Sequence, residues 1–270
     1  MDFFDSHAHY NDEYFKDKKD ELIPKMYKDE ITNIVCAGYN LAGSKEAIEI
    51  ANKYPHIFAT CGISPNDIEE QVEKDIEEIE NLAKNRKVVA IGEIGLDYYW
   101  NKDNKELQKQ VFIKQIELAN RLNLPIVIHT REAVMDTLEI LKTHPVNKKG
   151  VFHCCPLNQE LIKEGLKLGF YISFSGNVTF KNAKSAGCIE LVPLDKILIE
   201  TDSPYLSPEP HRGEKNTSLN VKLVAAKIAE VKNEKIEKIA EITRKNAKII
   251  FNIEWKKLLK SFFYYAAVFK

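Results

Sequence analysis

The sequence predicts one (β/α)8 TIM barrel with a metal site at the carboxyl ends of its strands. Eight short apolar segments alternate along the chain with helical patterns or loops. Most of them are continuous runs rich in Val and Ile, which is typical of strands buried on both faces of a parallel sheet. Histidines and carboxylates stand at the ends of several segments. With eight such units and no GxGxxG after the first strand, a closed barrel is favoured over an open doubly wound sheet.

The chain length agrees with a single domain. Its 270 residues, 44% of them hydrophobic, can form one large core, and α/β barrels commonly reach this length. We expect residues 1–252 to form the barrel and residues 253–270 to form a basic amphipathic tail. The tail is open to three interpretations, which are docking on the barrel, contact with a membrane surface and binding of a partner.

The predicted strands follow the apolar runs in order. They are Phe3–Ser6, Asn33–Ala37, Ile57–Gly62, Val88–Glu93, Ile126–His129, Val151–His153, Tyr171–Phe174 and Lys196–Glu200. The clearest helix between them spans Glu106–Asn123, where leucine and valine recur at helical spacing among charged residues. The longest loop, Ser203–Asn216, follows the eighth strand and would overhang the active end of a barrel.

The charge balance excludes a protein that grips nucleic acid by overall charge. There are 39 basic and 40 acidic residues, with a net charge of −1 and a pI near 6.7. If the protein acts on nucleic acid, local positive charge, including bound metal, must hold the phosphate. We expect a cytoplasmic protein without a leader, a transmembrane segment or an evident obligate protein partner, because no long apolar stretch occurs and the five cysteines show no CxxC spacing.

The first candidate metal ligands are His7 and His9. In a strand, residues two apart face the same way, so both imidazoles can reach one ion. Glu93 leaves a fully apolar strand and needs a partner, because an isolated buried charge is very costly. That partner is either a basic residue on a helix or a pair of metal ions that the carboxylate bridges. Asp97 is expected to be a cap or loop residue.

Three further candidates follow later strands. His129 and His153 each end an apolar run, and a single histidine in that position is usually a hydrogen-bonded core residue. Two in succession, with His7, His9 and Glu93 already placed, favour ligation instead. Asp202 completes the set after the eighth strand.

Four imidazoles and two carboxylates suit two divalent ions, which we expect to be Zn²⁺, Mn²⁺ or Mg²⁺. Two ions a few ångströms apart would lower the pKa of a shared water to about 7 and clamp the attacking and leaving oxygens. Glu93 and Asp202 are therefore the predicted catalytic residues, and Asp202 can accept the proton of that water.

Several longer motifs carry a resemblance to a known family. They are DSHAH at Asp5–His9, GEIGLDYYW at Gly92–Trp100, LPIVIHTRE at Leu124–Glu132, ETDSPYL at Glu200–Leu206 and HRGEKN at His211–Asn216. Together they resemble the TatD family of metal-dependent deoxyribonucleases, in the amidohydrolase superfamily, as far as about Phe251. This resemblance implies a (β/α)8 barrel that binds two metals and hydrolyses phosphodiester bonds, typically as a 3′–5′ exonuclease on DNA single strands or ends.

The resemblance also implies a division of the ligands. His7, His9, Glu93 and Asp202 would hold one metal, and Glu93, His129 and His153 would hold the other. Two departures put the substrate in doubt: Ser64 stands where the family usually has a histidine that lines the substrate site, and CCPL follows His153 where the family usually reads CFSG.

Candidate substrate contacts are Ser64, Arg131, Tyr205 and Arg212. Arginine pairs phosphate oxygens in bidentate fashion, although these arginines are equally interpretable as solvated loop charges. The aromatic run Tyr98–Trp100 either stacks on bases or walls the pocket.

Three functions remain open from the sequence. The leading hypothesis is a DNase. The second keeps the metal chemistry but places it on another ester or an amide, such as an aminoacyl-tRNA link. The third is a non-enzymatic scaffold recruited through the tail.

Overall fold

The computed structural model describes residues 1–253. The predicted tail, apart from Ile253, lies outside the described residues. The expected barrel range falls within them. None of the helices in this range is long and apolar enough to cross a bilayer.

The strands form one parallel sheet in which each strand pairs with its neighbour in sequence, from β1 to β8. They are β1 Phe3–Ala8, β2 Ile31–Cys36, β3 Ile57–Cys61, β4 Val88–Asp97, β5 Ile126–Arg131, β6 Gly150–Phe152, β7 Tyr171–Phe174 and β8 Ile197–Ile199. Backbone bonds beyond the strand ends join the last unit to the first: Asp202 N donates to His7 O at 3.0 Å and His9 N donates to Ser203 O at 2.7 Å. The predicted (β/α)8 barrel is confirmed.

Helices surround the barrel in the expected alternation. They are α1 Lys19–Lys28, α2 Leu41–Lys53, α3 Val72–Leu82, α4 Lys105–Leu122, α5 Val134–Thr143, α6 Gln159–Lys167, α7 Ser185–Leu191, α8 Val221–Lys232 and α9 Ile236–Ile250. The helix predicted at Glu106–Asn123 is α4. It ends where Asn123 adopts a left-handed conformation with φ of 55°, a position that asparagine tolerates.

A small apolar cluster lies inside the barrel, separate from the larger core between strands and helices. It combines Phe4 and Val127 from the strands with Phe251 at the end of α9, and the rings of Phe4 and Phe251 stack at 6.4 Å. Because these strand residues lie near the amino ends, α9 closes the bottom of the barrel. The opposite end is left for the site.

Two strands carry irregularities where the site residues lie. In β4, Ile91 pairs with Ile126 and Ile94 pairs with Ile128, so an extra residue is accommodated around Glu93. A similar shift occurs in β1 between Asp5 and Ala8. Strand β4 also continues to Asp97, four residues beyond its predicted end, because its second half pairs with β5 as far as Arg131.

Candidate metal centre

The structure brings all six predicted ligands together at the carboxyl end of the barrel. They come from five strands or the residues just after them: His7 and His9 at the end of β1, Glu93 at the irregularity of β4, His129 within β5, His153 after β6 and Asp202 three residues after β8. The approach of neighbouring backbones depends on small residues, since a Cβ on Gly95 would lie 2.0 Å from the carbonyl oxygen of His129.

Glu93 lies between two pairs of imidazoles. Its Oε2 is 3.4 Å from His7 Nε2 and 3.7 Å from His9 Nε2. Its Oε1 is 2.9 Å from His129 Nδ1 and 3.2 Å from His153 Nε2. One oxygen therefore faces each pair, which is the arrangement that a carboxylate needs to bridge two cations.

The first pair of imidazoles has a second carboxylate beside it. The Nε2 atoms of His7 and His9 lie 3.1 Å apart, and Asp202 Oδ1 is 3.3 Å from His9 Nε2. Imidazole nitrogens and carboxylate oxygens that converge in this way fit divalent ions of intermediate softness. The donor set agrees with a two-ion site, with Glu93 shared between the groups His7–His9–Glu93 and Glu93–His129–His153.

Asp97 orients His129 at the second pair. His129 Nε2 donates to Asp97 Oδ2 at 2.9 Å, which leaves Nδ1 turned toward Glu93. The same carboxylate accepts from Asn66 Nδ2 at 3.1 Å and from the backbone N–H groups of Tyr99 and Trp100. Asp97 is thus the expected cap and also a partner of a predicted ligand. Burial opposes its ionisation, but the bonds from His129 and Asn66 lower its pKa to about 2.

Glu200 is a second carboxylate that the sequence reasoning did not single out. It is fully buried, its Oε1 lies 3.4 Å from His153 Nδ1, and it accepts a bond from Cys154 N at 2.5 Å. Its Oε2 has no hydrogen-bond partner within residues 1–253. The signal in the sequence was a charged residue directly after the apolar strand β8, two positions before the predicted ligand Asp202.

Burial works against charge throughout the cluster, and neighbouring groups decide the outcome. Burial and the nearby His153 lower the pKa of His7. Burial opposes protonation of His153 too, but Glu93 and Glu200 outweigh it and hold its pKa well above 6.5. Burial likewise opposes ionisation of Glu93, yet His153 and His129 keep its pKa well below 4.5. Glu93 is thus anionic at neutral pH, as a carboxylate that binds metal must be.

Asp202 and Asp5 differ in their surroundings. Burial opposes ionisation of Asp202, but His9 outweighs it and lowers its pKa. Burial raises the pKa of Asp5 to about 7, although Ser218 Oγ and Thr201 N donate to its carboxylate at 2.6 and 3.0 Å. Asp5 ties β1 to the segments after β8 and so fixes the frame that carries His7 and Asp202.

The predicted substrate contacts have unequal positions. The Tyr205 ring centroid lies 6.2 Å from that of His9, so this side chain borders the cluster, and its hydroxyl donates to Asp12 Oδ2 at 2.6 Å. The Arg131 guanidinium lies 3.8 Å above the ring of Tyr99, beside Trp100, which is 69% exposed.

The other two candidates contact residues other than the six predicted ligands. The Arg212 guanidinium lies 3.7 Å from the ring of Phe180. Ser64 is buried, and its hydroxyl donates to Asp67 Oδ2 at 2.9 Å and accepts from Asn66 N at 3.2 Å. The residue that replaces the family histidine is therefore engaged within its own loop.

No covalent nucleophile is evident among the described residues at this end of the barrel. Cys154 is the cysteine nearest the ligands in sequence, and burial holds its pKa well above 9.0, so its thiol stays protonated. Its Sγ lies 3.2 Å from Ser175 Oγ, a hydrogen bond in which either group can donate.

Comparison with known proteins agrees with this geometry. A family model described as TatD related DNase matches residues 4–252. The chain belongs to the TatD family. Within it, the chain is 43% identical over 252 residues to the metal-dependent hydrolase YabD of Bacillus subtilis, covering 93% of this chain and 99% of that one. It is 36% identical to the metal-dependent hydrolase YcfH of Escherichia coli K12, covering 96% and 98%.

Solved structures show the same architecture. The TatD homologue YjjV of Escherichia coli K12 superimposes with a TM-score of 0.88 at 26% identity, covering 93% of this chain and 98% of that one. A TatD-family hydrolase of Entamoeba histolytica has a TM-score of 0.82 at 22% identity, covering 93% and 98%. As a member of the TatD family, the present chain is a metal-dependent hydrolase, and its cluster of histidines and glutamate can hold metal.

Proposed function

We propose that the protein is a two-metal phosphodiesterase that removes nucleotides from the ends of single DNA strands in the 3′–5′ direction. The observation that carries the proposal is the position of Glu93, with one oxygen toward each pair of imidazoles. A family model described as TatD related DNase supports DNA as the substrate.

The six ligands divide between two divalent ions, which we propose to be Zn²⁺, Mn²⁺ or Mg²⁺. His7, His9, Glu93 and Asp202 would hold one, and Glu93, His129 and His153 would hold the other. Two bound cations supply Lewis-acid stabilisation of the charge on a phosphoryl group and acidify water.

Asp202 is the proposed proton acceptor. It is ionised because His9 outweighs burial and lowers its pKa, and its Oδ1 lies 3.3 Å from His9 Nε2. Its carboxylate would take the proton of the water that attacks phosphorus. Glu93 would hold both ions, because its two oxygens face opposite halves of the cluster.

Substrate recognition falls to the residues around the cluster. Arg131, whose guanidinium lies 3.8 Å from the ring centroid of Tyr99, is suited to a phosphate next to the scissile one, and the exposed ring of Trp100 offers a surface on which a base can stack. Tyr205 borders the cluster beside His9, and Arg212 lies on the same long loop.

The second candidate keeps the chemistry but changes the substrate to an ester or amide, such as an aminoacyl-tRNA link. One observation favours it: the Ser64 hydroxyl is bonded to Asp67, so this loop offers no imidazole to a phosphodiester leaving group. A scaffold recruited through the tail finds no support in the convergence of six ligands.

The test is hydrolysis of end-labelled single-stranded DNA by the full-length, metal-stripped protein, resupplied in turn with Mg²⁺, Mn²⁺ and Zn²⁺. RNA, aminoacyl-tRNA and a p-nitrophenyl phosphodiester are assayed beside it. We expect a ladder that shortens from the 3′ end with at least one metal and that disappears in Glu93→Gln. Cleavage of aminoacyl-tRNA without any DNA ladder would replace the proposal with the second candidate.

We place this activity in the cytoplasm. All five cysteines are free thiols, and several are fully buried, which is the usual state in a reducing compartment.

A further inference from the structure

A basic pocket lies at the segment that follows β7. It has a volume of about 340 Å³ and is lined by the segment Val178–Gly187 together with Lys227 of α8. Three of its lining residues are lysines, namely Lys181, Lys184 and Lys227, and none is acidic. A pocket of this composition attracts anions.

Two of the three lysines have no acidic partner in the described range 1–253. Lys227 lies 3.1 Å from Glu230, a pair on the exposed surface of α8. Lys181 and Lys184 have no ion pair or hydrogen bond of their side chains with any residue in the described range 1–253. Two ammonium groups therefore face solvent at the pocket without a carboxylate to neutralise them.

The pocket is joined to the metal centre by packed loops. Its lining segment directly follows β7, at the same end of the barrel as the ligands. Thr179 Oγ1 accepts a bond from Glu209 N at 2.9 Å, and Phe180 carries the Arg212 guanidinium on its ring. Both partners belong to the loop that begins at Asp202. Arg212 of this loop thus brings one positive charge against the segment that lines the pocket.

A second depression at the same end has the opposite charge. It has a volume of about 310 Å³ and is lined mainly by the loop after β3 and the start of α2. Its charged lining residues are Lys45, Asp67, Glu69 and Asp75. The two sides of the catalytic end differ in sign although the whole chain has a net charge of only −1. A polyanion is attracted to one side and repelled from the other.

We propose that the pocket of Lys181, Lys184 and Lys227 binds backbone phosphates of the nucleic-acid strand whose end lies at the metal centre. The strand leaves the centre over Arg212 and the loop after β7, away from the acidic loop after β3. This inference rests on the proposed function, since it assumes a polyanionic substrate. It assigns the pocket a role in holding the part of the strand that is not being cut.

The test compares the double variant Lys181→Ala/Lys184→Ala with the matched control Lys25→Ala/Lys28→Ala. The control removes the same charge from exposed positions at the end of α1. KM and kcat are measured for a long single strand and for a small p-nitrophenyl phosphodiester. We expect KM for the long strand to rise about tenfold in the pocket variant alone, with kcat and the small substrate unaffected.

The salt dependence gives an independent readout. Each lost phosphate contact on a single strand lowers the slope of log affinity against log salt by about 0.7, so we expect the pocket variant to lose about 1.4. Equal KM values and slopes in the two double variants would overturn the inference. So would a pocket variant that weakens binding of an acidic peptide but not of DNA.

Phosphorothioate linkages keep the charge of the strand and resist cleavage. Binding of a strand with these linkages therefore tests the pocket separately from the proposed function. If the pocket variant binds this strand more weakly but the wild-type protein cleaves no DNA, the pocket stands and the proposed function fails. If DNA is cleaved but both double variants bind alike, the proposed function stands and the pocket fails.

Discussion

The two ends of the cluster of predicted metal ligands hold their imidazoles in different ways. At the β5–β6 end, the rear nitrogens of both histidines face buried carboxylates: His129 donates to Asp97, and His153 lies 3.4 Å from Glu200. At the β1 end, His9 Nδ1 faces the backbone carbonyl of Ala37 at 3.3 Å. The Nδ1 atoms of His7 and His153 are both buried without a hydrogen-bond partner in the described range, but that of His153 has the Glu200 carboxylate at 3.4 Å.

This difference shows that negative charge reaches the two proposed ions by different routes. A carboxylate behind an imidazole fixes its orientation and raises its basicity, and despite burial Asp97 and Glu93 raise the pKa of His129, as Glu93 and Glu200 raise that of His153. At the β1 end Asp202 lies directly beside His9 instead. One end is therefore tuned through a second layer of residues, and the other by a carboxylate within the cluster.

The largest effect is expected from Glu93→Gln, because this side chain serves both ends. We expect both ions to bind more weakly and hydrolysis to fall by more than ~100-fold, the upper range for loss of an outer partner. Metal content by mass spectrometry and turnover of a phosphodiester measure the two effects. Far-UV circular dichroism checks that the barrel remains folded, and wild-type turnover in a folded variant would remove Glu93 from the centre.

The next effect should separate the ends. Asp97→Asn keeps the shape but removes the charge behind His129, so we expect the affinity for one ion to fall by about 10–100-fold and the other to be little changed. The matched control is Asp103→Asn, an exposed residue after the same strand. Titration calorimetry of metal-stripped protein provides both affinities. Equal weakening of the two ions would contradict a separate role for each end.

Acidification should also act unequally. A protonated imidazole cannot bind a metal; the pKa of His153 is raised well above 6.5, whereas at the β1 end that of His9 is raised without reaching so far and that of His7 is lowered. As pH falls, the ion at the β5–β6 end is therefore expected to dissociate first, beginning above pH 6.5. Metal affinities measured across the neutral range check the order. If the ion at the β1 end dissociated at the higher pH, the order of metal loss would not follow these pKa shifts, and the prediction would be wrong.

The smallest effect concerns Asn66, which donates to Asp97 from the loop that contains Ser64. Removing one such hydrogen bond costs about 1 kcal/mol, or roughly fivefold. We expect Asn66→Ala to weaken only the ion that Asp97→Asn weakens, and the double variant to add little. Full additivity in that double variant would show that Asn66 does not act through Asp97.

Much of this centre could be predicted from the sequence, because the carboxyl ends of parallel strands meet at one edge. An apolar run followed by a histidine or carboxylate was therefore enough to bring His7, Glu93 and His153 together. The strand ends alone do not reveal which residue faces the second nitrogen of an imidazole. That depends on the extension of β4 to Asp97 and on its register with β5.

The residues around the centre could be predicted less well, because their positions depend on contacts between loops and helices and not on the strand ends. The bond from Ser64 to Asp67 is a turn contact that no periodic pattern indicates. The basic pocket combines a loop after β7 with Lys227, which lies more than one helix further along the chain. Charges distant in sequence become neighbours only when the loops and helices are packed, so a balanced overall composition hides a local excess.

The most direct test of the whole arrangement is a titration of full-length, metal-stripped protein with Mn²⁺ or Zn²⁺, comparing wild type, Asp97→Asn and Glu93→Gln. We expect two ions per chain in the wild type, one of them weakened by Asp97→Asn and both weakened by Glu93→Gln. A single ion in the wild type, or two ions held with unchanged affinity after Glu93→Gln, would contradict a centre bridged by Glu93.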